Sequence, residues 1–184
     1  EENLKIHPSR LPLFLEWLAK RHALVIHPPR RVLSVYLDND RLGMFHDSVE
    51  GLLPRKKLRY RRYKPRGAPL TSWHLELKIS SIEGRYKTSL PTSVDPYLLN
   101  GNLSDDRYGL CRPRVEVSYL RSYFELEGVR ITVDRDISYR NLSLSLQSMA
   151  SATDPDIIVE LKAFSDLSSD FLREVFPWDR TRFS

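Results

Sequence analysis

The chain has 184 residues, 41% of them hydrophobic, and its 29 lysines and arginines against 24 acids give a net charge of +5. This length and hydrophobic content predict a single domain, residues 1–184, with one core. The lone Cys111 excludes a disulfide framework and a cysteine-based metal site and favours a reducing compartment, so we expect a cytoplasmic protein. No apolar run approaches the roughly 18 residues that cross a bilayer, so no transmembrane segment is expected in this chain.

Alternation and helical spacing predict the elements of the first third of the chain. Strands are predicted at residues 1–7 and 32–37, and helices at residues 9–22 and 41–51. Ser9 is a suitable N-cap for the first helix, because a serine hydroxyl can accept a hydrogen bond from the backbone of the first turn. Pro28-Pro29 is expected to break the chain between this helix and the second strand.

A cationic strand is predicted at residues 56–63. Alternation places Lys57, Arg59 and Arg61 on one face, and the two arginines would point the same way about 7 Å apart. Two parallel guanidinium groups at that spacing suit a ligand with oxygens along its length, such as a chain of linked phosphates. The alternative is a solvated edge strand whose cations deter pairing with other chains.

The strand at residues 73–79 alternates most clearly. His74, Glu76 and Lys78 share one face, and four large apolar residues share the other. This pattern is typical of a strand buried on one side only.

The rest of the chain is predicted to contain three further groups of elements. A turn at Gly84 leads into a strand with Arg85 and Lys87 on one face, followed by a helix or loop at 92–109. A strand at 114–126 is joined by a turn at Glu127-Gly128 to a strand at 129–137. The last elements are a strand at 157–162, a helix at 165–176 and an extended end.

Collected over five strands, the charged faces carry more cations than acids. The cations are Arg59, Arg61, Lys78, Arg85, Lys87, Arg130 and Lys162, and the acids are Glu76, Asp134 and Glu160. Such faces belong either to the solvent side of an open sheet or to the interior of a closed one. A closed sheet would enclose a lumen suited to a polyanion and a divalent cation.

The order of five segments resembles the VTC domain. These segments are Val32 to Asp38 followed by a short helix, Lys57 to Tyr63, Leu75 to Lys78, Val129 to Asp134 and Val159 to Lys162, and the ending Thr181 to Ser184 is similar to the family's C-terminal motif. VTC domains are the polyphosphate polymerase modules of the vacuolar transporter chaperone and its bacterial relatives. They belong to the triphosphate tunnel metalloenzyme superfamily.

The resemblance implies an α+β fold built on an eight-stranded antiparallel, tunnel-like β-barrel with a charged interior and flanking helices. It implies an enzyme of the polyphosphate kinase type that uses Mn²⁺ or Mg²⁺ to transfer the γ-phosphoryl group of ATP to a growing polyphosphate chain. ATP and polyphosphate are the expected partners, and nucleic acid is not expected.

The resemblance also implies roles for individual residues. The phosphate ligands would be Lys5, Arg59, Arg61, Lys78, Lys87, Arg121, Arg130 and Lys162. The catalytic set would be Arg59, Arg61, Lys78, Arg130 and Glu160, with Glu160 as the metal ligand. Alternation groups Arg121 with Val117 and Tyr119, so a bulge would be needed to turn it inward. The tyrosines and tryptophans are otherwise expected to pack in the core.

Two positions depart from the family pattern. Where relatives tend to carry a glutamate and a lysine on the first strand, this sequence has Glu1 and Asn3, which leaves Lys5 as the nearest cation. A lysine follows the Arg-Phe-Ser of relatives, whereas this sequence stops at Ser184. Two alternatives to the polymerase therefore stay open: a tunnel triphosphatase that transfers the phosphoryl group to water, and a non-catalytic module that binds polyphosphate or nucleic acid.

Overall fold

The computed structural model describes residues 2–65, 67, 69–143, 151–163 and 180–181. Its helices are α1 (Leu11–Lys20) and α2 (Gly43–Glu50), and its strands are β1 (Glu2–Ile6), β2 (Leu24–Asp38), β3 (Arg55–Pro65), β4 (Trp73–Ser80), β5 (Arg85–Thr92), β6 (Leu103–Asp105), β7 (Gly109–Leu126), β8 (Val129–Asn141), β9 (Ser151–Asp154), β10 (Ile157–Lys162) and β11 (Arg180–Thr181). Short 3₁₀ turns lie at Pro8–Arg10 and Leu99–Gly101. The fold is therefore α+β and rich in antiparallel strands, as predicted.

Over the described part of the chain, the strands pair in the order β11-β1-β10-β8-β7-β2-β3-β4-β5, with β6 on β7 and β9 on β8. The order is open, since β5 and β11 each have one neighbour in it. The outermost strand β5 is exposed along almost its whole length. The closed eight-stranded barrel is therefore not confirmed, although the antiparallel architecture is consistent with a tunnel-like fold.

The chain divides into two compact units. Unit 1 contains Glu1–Arg31, Tyr119–Ile137 and Thr153–Phe183, and unit 2 contains Val32–Ser118 and Ser138–Ala152.

The core of unit 1 lies between α1 and the apolar faces of β1, β8 and β10. Phe14 and Leu18 are one helical turn apart and supply the buried face of α1. They belong to one cluster with Leu4, Ile131 and Val159, each of which is fully buried. The alternating strand residues point to the opposite face of the sheet, which is where the charged side chains of β8 and β10 lie.

The core of unit 2 is built in the same way from β2, β3 and β4. Val35, Leu37, Leu58, Tyr60 and Trp73 pack together with Met44 of α2. Asp38 ends β2 and accepts backbone hydrogen bonds from the first turn of α2, at 3.0 Å from Met44 N and 2.9 Å from Phe45 N. This contact fixes the end of β2 against the helix. Side chains that alternate with these core residues lie on the other face; they are Lys57, Arg59 and Arg61 of β3 and His74, Glu76 and Lys78 of β4.

Several local predictions are confirmed. The helix α2 ends at Gly51, whose φ of 75° is a left-handed conformation that glycine adopts without strain. Glu127 and Gly128 both have positive φ, as a tight turn between β7 and β8 requires. The segment 92–109, expected to be a helix or loop, contains one 3₁₀ turn and also the short strand β6, which was not predicted. The predicted helix at 165–176 and the motif residues 182–184 lie outside the described residues.

Two predictions about the first third of the chain are wrong. Pro28-Pro29 does not break the chain, because β2 runs through both residues from Leu24 to Asp38. Both prolines lie on an exposed stretch of the strand, where a missing backbone N–H is tolerated. Ser9 does not cap α1, which follows the 3₁₀ turn and has Arg10 at its N-cap. The backbone N–H of Ser9 instead donates to His7 Nδ1.

Candidate functional site

The charged faces of β3, β4 and β5 form rows of side chains in register. Lys57 lies opposite Lys78, which lies opposite Lys87, so one row contains three lysines. Like charges directly opposite each other on antiparallel strands are destabilising. Repulsion within the lysine row therefore destabilises the ligand-free protein, and a bound anion would relieve this repulsion.

The next row is organised around Glu76, which is 4% exposed. Its Oε2 lies 2.7 Å from Arg59 Nε and 3.7 Å from Arg61 Nη1, and its Oε1 lies 2.8 Å from Lys87 Nζ. Burial alone would raise the pKa of this carboxyl, but the three cations outweigh it and lower the pKa to about 2. Glu76 is therefore ionised at neutral pH and acts as the counter-ion of the cations around it.

Two hydroxyl groups of β2 accept hydrogen bonds from the arginines of β3 that contact Glu76. Tyr36 OH accepts a hydrogen bond from Arg59 Nη1 at 2.8 Å, and Ser34 Oγ accepts one from Arg61 Nε at 3.0 Å. Burial favours a raised pKa for the Tyr36 phenol, but the positive charges of Arg59, Arg61 and Lys57 lower it overall. The expectation that tyrosines pack in the core therefore does not hold for Tyr36. The sequence could have indicated this, because Ser34 and Tyr36 alternate with the apolar Val35 and Leu37 along β2.

A small pocket opens on this face. Its lining consists of Lys57, Arg59, Glu76, Lys78 and Lys87. Four cations against one carboxylate make the pocket suited to an anion of high charge. Burial and the neighbouring cations lower the pKa of Lys57, with Tyr36 acting in the opposite direction. Lys57 was not among the predicted ligands, although the alternation of β3 already placed it on this face.

Unit 1 carries a second charged cluster, on β7, β8 and β10. Arg121 binds Asp134 through two hydrogen bonds of 2.6 Å, from Nε to Oδ1 and from Nη2 to Oδ2. Glu160 Oε2 lies 3.8 Å from Arg121 Nη2, and Glu160 Oε1 lies 3.0 Å from Lys162 Nζ. Burial lowers the pKa of Arg121, but its bond to Asp134 and the nearby charges raise it overall, so the guanidinium stays charged.

Arg121 joins this charged cluster while it keeps the contact with Tyr119 that alternation predicts. Its guanidinium lies 5.1 Å from the centre of the Tyr119 ring, on the side that also holds Asp134 and Glu160. Sharing a face with Tyr119 is therefore compatible with membership of the charged cluster. The error was to treat the face of Tyr119 as wholly apolar.

The remaining predicted ligands of unit 1 lie near the ends of their strands. Lys5 Nζ forms an ion pair of 2.6 Å with Asp156 Oδ2. Arg130 lies opposite Lys162 in the pairing of β8 with β10 and is exposed. The structure thus places Arg59, Arg61, Lys78 and Lys87 together in unit 2, and Arg121, Glu160 and Lys162 together in unit 1.

Glu160 of unit 1 fits a divalent metal site in which substrate phosphates supply the other ligands. No group of three or more His, Cys, Asp and Glu side chains that could hold a metal occurs in the described ranges. Mg²⁺ is commonly bound by one or two carboxylates together with phosphate oxygens of a substrate. Glu160 fits that type of site, whereas a site built from protein ligands alone does not fit.

Comparison with known proteins identifies the family of this chain. A model of the VTC domain family matches residues 1–176. The chain belongs to the VTC domain family. The family predicted from the five segments is thereby confirmed. A search of curated proteins finds no match to this sequence.

Solved structures share the fold of this VTC domain at low sequence identity. The PH1819 protein from Pyrococcus horikoshii is 16% identical with a TM-score of 0.55, and the match covers 100% of this chain and 92% of that one. A candidate adenylate cyclase from Vibrio parahaemolyticus is 14% identical with a TM-score of 0.54, over 99% and 92% of the two chains. A second candidate adenylate cyclase, from Bacillus halodurans, is 14% identical with a TM-score of 0.54, over 100% and 93%.

No helix within the described residues of the domain is long and apolar enough to cross a membrane.

Proposed function

We propose that this VTC domain is a polyphosphate polymerase that transfers the γ-phosphoryl group of ATP to the end of a polyphosphate chain. The observation that carries the proposal is the pocket formed by the lysine row and Arg59. A compact single anion would be satisfied by one arginine, whereas cations spread over three neighbouring strands suit several linked phosphates.

The reaction needs no protein nucleophile. A terminal oxygen of polyphosphate attacks the γ-phosphorus of ATP, the new phosphorus–oxygen bond forms, and the bond to the β-phosphate oxygen breaks to release ADP. Arg59, Lys78 and Lys87 would hold donor and acceptor in line and spread the charge of the transferring group.

The low pKa of Glu76 favours a phosphoryl acceptor that is already ionised. Among the described residues that line the pocket it is the only carboxylate, and a pKa of about 2 makes it a poor proton acceptor near neutral pH. Water needs to lose a proton when it attacks, whereas the end of a polyphosphate chain arrives ionised. This contrast favours transfer to polyphosphate over hydrolysis.

The metal of the superfamily would be held by Glu160, with phosphate oxygens completing its ligands. When bound, Mn²⁺ or Mg²⁺ neutralises phosphate charge and so lowers the barrier to attack. Lys162, at 3.0 Å from Glu160, and Arg121, at 3.8 Å, would orient this carboxylate.

The experiment that tests the proposal is incubation of the protein with ATP and Mn²⁺ or Mg²⁺, followed by gel separation of the products. Long polyphosphate and ADP are expected. Orthophosphate as the only new phosphate product would contradict the proposal and favour a triphosphatase. Binding of ATP without any product would favour a binding module.

A further inference from the structure

The hydroxyl group of Tyr36 contacts a cation of the pocket. It accepts a hydrogen bond from Arg59 Nη1 at 2.8 Å, and the Arg59 guanidinium also lies 5.5 Å from the centre of the Tyr36 ring. Arg59 lines the pocket. The phenol therefore lies against one of the cations that we assign to the phosphate chain.

The hydroxyl of Tyr36 can also donate. A phenol carries one O–H donor in addition to its acceptor lone pairs. Within the described residues, no protein group accepts the proton of Tyr36, whose recorded hydrogen bond is the one it accepts from Arg59. Ser34 is a useful contrast: it holds Arg61 in the same way but is fully buried, so a ligand cannot reach it.

We propose that Tyr36 is a phosphate-binding residue, whose hydroxyl accepts a hydrogen bond from Arg59 and donates its own proton to a phosphoryl oxygen held by the same arginine. The proposal rests on the function proposed above and adds a neutral donor to a site otherwise described by its cations. It assigns to β2 a direct part in binding the phosphate chain.

The charges around the phenol support this role. Lys57, Arg59 and Arg61 of β3 surround it, and Glu76 of β4 lies on the far side of Arg59. The cations withdraw electron density from the phenol and lower its pKa, which strengthens its O–H as a donor. A phenolate cannot donate and would repel a phosphate, so the contact exists only while Tyr36 is protonated.

The first test compares two variants in calorimetry with inorganic tripolyphosphate at neutral pH, fixed salt and no metal. Tyr36→Phe keeps the ring and removes the hydroxyl, and we expect it to weaken binding about tenfold, the size expected for a hydrogen bond to a charged group. Ser34→Ala removes the equivalent support of Arg61 without a contact to ligand, and we expect a smaller loss. Circular dichroism melts of both variants check that the fold is retained.

The second test separates donation to phosphate from support of Arg59 alone. Ionised Tyr36 would be a better acceptor for Arg59, so a supporting role predicts no loss of affinity when the phenol ionises. Donation predicts that wild-type affinity falls more steeply than that of Tyr36→Phe as pH rises from 7 to 10. Tyr36 raises the pKa of Lys57, so Lys57 loses its charge at lower pH in Tyr36→Phe than in wild type. This effect makes the variant lose affinity first, so a steeper fall in wild type reports Tyr36. Incorporation of 3-fluorotyrosine at position 36, which ionises at lower pH, should move the extra loss to lower pH.

The outcomes distinguish this inference from the proposed function. If wild type binds tripolyphosphate and Tyr36→Phe binds it equally well at every pH, the role of Tyr36 is wrong and the proposed function stands. Parallel pH curves with a uniformly weaker variant would also overturn direct donation. If wild type does not bind tripolyphosphate, the proposed function fails together with this inference.

Discussion

Two nitrogens of Arg59 contact a single oxygen of Glu76: Nε lies 2.7 Å and Nη2 lies 2.6 Å from Oε2. The other carboxylate oxygen is thereby left to Lys87, whose Nζ lies 2.8 Å away. A carboxylate on the central strand thus holds one cation from each neighbouring strand. This arrangement keeps the cations in place before a ligand binds.

The first prediction concerns the loss of this counter-ion. Glu76→Gln leaves Arg59, Arg61 and Lys87 without their shared carboxylate, so we expect the free energy of unfolding to fall by about 3 kcal/mol. Added tripolyphosphate should stabilise the variant more than wild type, because the site has become more positive. Urea denaturation with and without tripolyphosphate measures both effects. Glu83→Gln, an exposed position with the same change of charge, is the control and should behave as wild type.

The same carboxylate gives a prediction about pH. The folded-state pKa of Glu76 is about 2, below its ordinary value of 4.5. A lowered pKa stabilises the protein above the unfolded value, and this stabilisation is lost as pH falls through the folded value. The stability difference between wild type and Glu76→Gln should therefore be constant above about pH 5 and shrink between pH 4.5 and 2. A difference that does not change over this range would show that the cations do not act through the charge of Glu76.

Much of this arrangement could be predicted from alternation alone. In β4, the contrast between His74, Glu76, Lys78 and the apolar residues between them defines both faces correctly. What alternation does not contain is the partner of each group, since register decides that Glu76 meets Arg59 while Lys78 meets Lys57. The pocket therefore had to be seen in the paired strands.

Three other features were not predicted from the sequence, each for a different physical reason. Pro28-Pro29 was expected to break the chain, but an exposed strand stretch tolerates residues without an N–H. Tyr36 was assigned to the core because tyrosines usually pack there, whereas its hydroxyl contacts Arg59. The open strand order could not be deduced from the sequence, because the patterning of a strand does not tell whether the outermost strands pair.

A further prediction separates the two arginines that the sequence treats as equivalent. Arg59→Ala should weaken tripolyphosphate binding by a kilocalorie per mole or more, on the order of one charged hydrogen bond, because Arg59 lines the pocket. Arg61 is 7% exposed and is bonded to Ser34, so Arg61→Ala should also lower the free energy of unfolding by about 2 kcal/mol.

Calorimetry and denaturation of both variants test this separation. Arg41→Ala is the matched control, because it removes one positive charge at an exposed position of the same unit. Equal tripolyphosphate affinity in wild type, Arg59→Ala and Arg41→Ala would show that the pocket on β3, β4 and β5 does not bind phosphate.

The assignment of Glu160 predicts a separation of turnover from binding. Glu160→Gln should abolish metal-dependent consumption of ATP and retain much of the affinity for tripolyphosphate, because the cations are untouched. Glu125→Gln, an exposed position in the same unit, should keep wild-type turnover. Initial rates over a series of Mn²⁺ concentrations provide the measurement. Stimulation of Glu160→Gln by Mn²⁺ to the wild-type level would refute Glu160 as the metal ligand.

The most direct test of polymer synthesis is the effect of a short polyphosphate primer on ATP consumption, with the length of the primer followed by gel. A site that holds donor and acceptor together converts a bimolecular transfer into a nearly unimolecular one, whereas water gains little from such a site. The account predicts that the primer accelerates ATP consumption and is itself lengthened, and that Arg59→Ala lowers both effects. Orthophosphate as the sole product, with the primer acting only as a competitor of ATP, would contradict it.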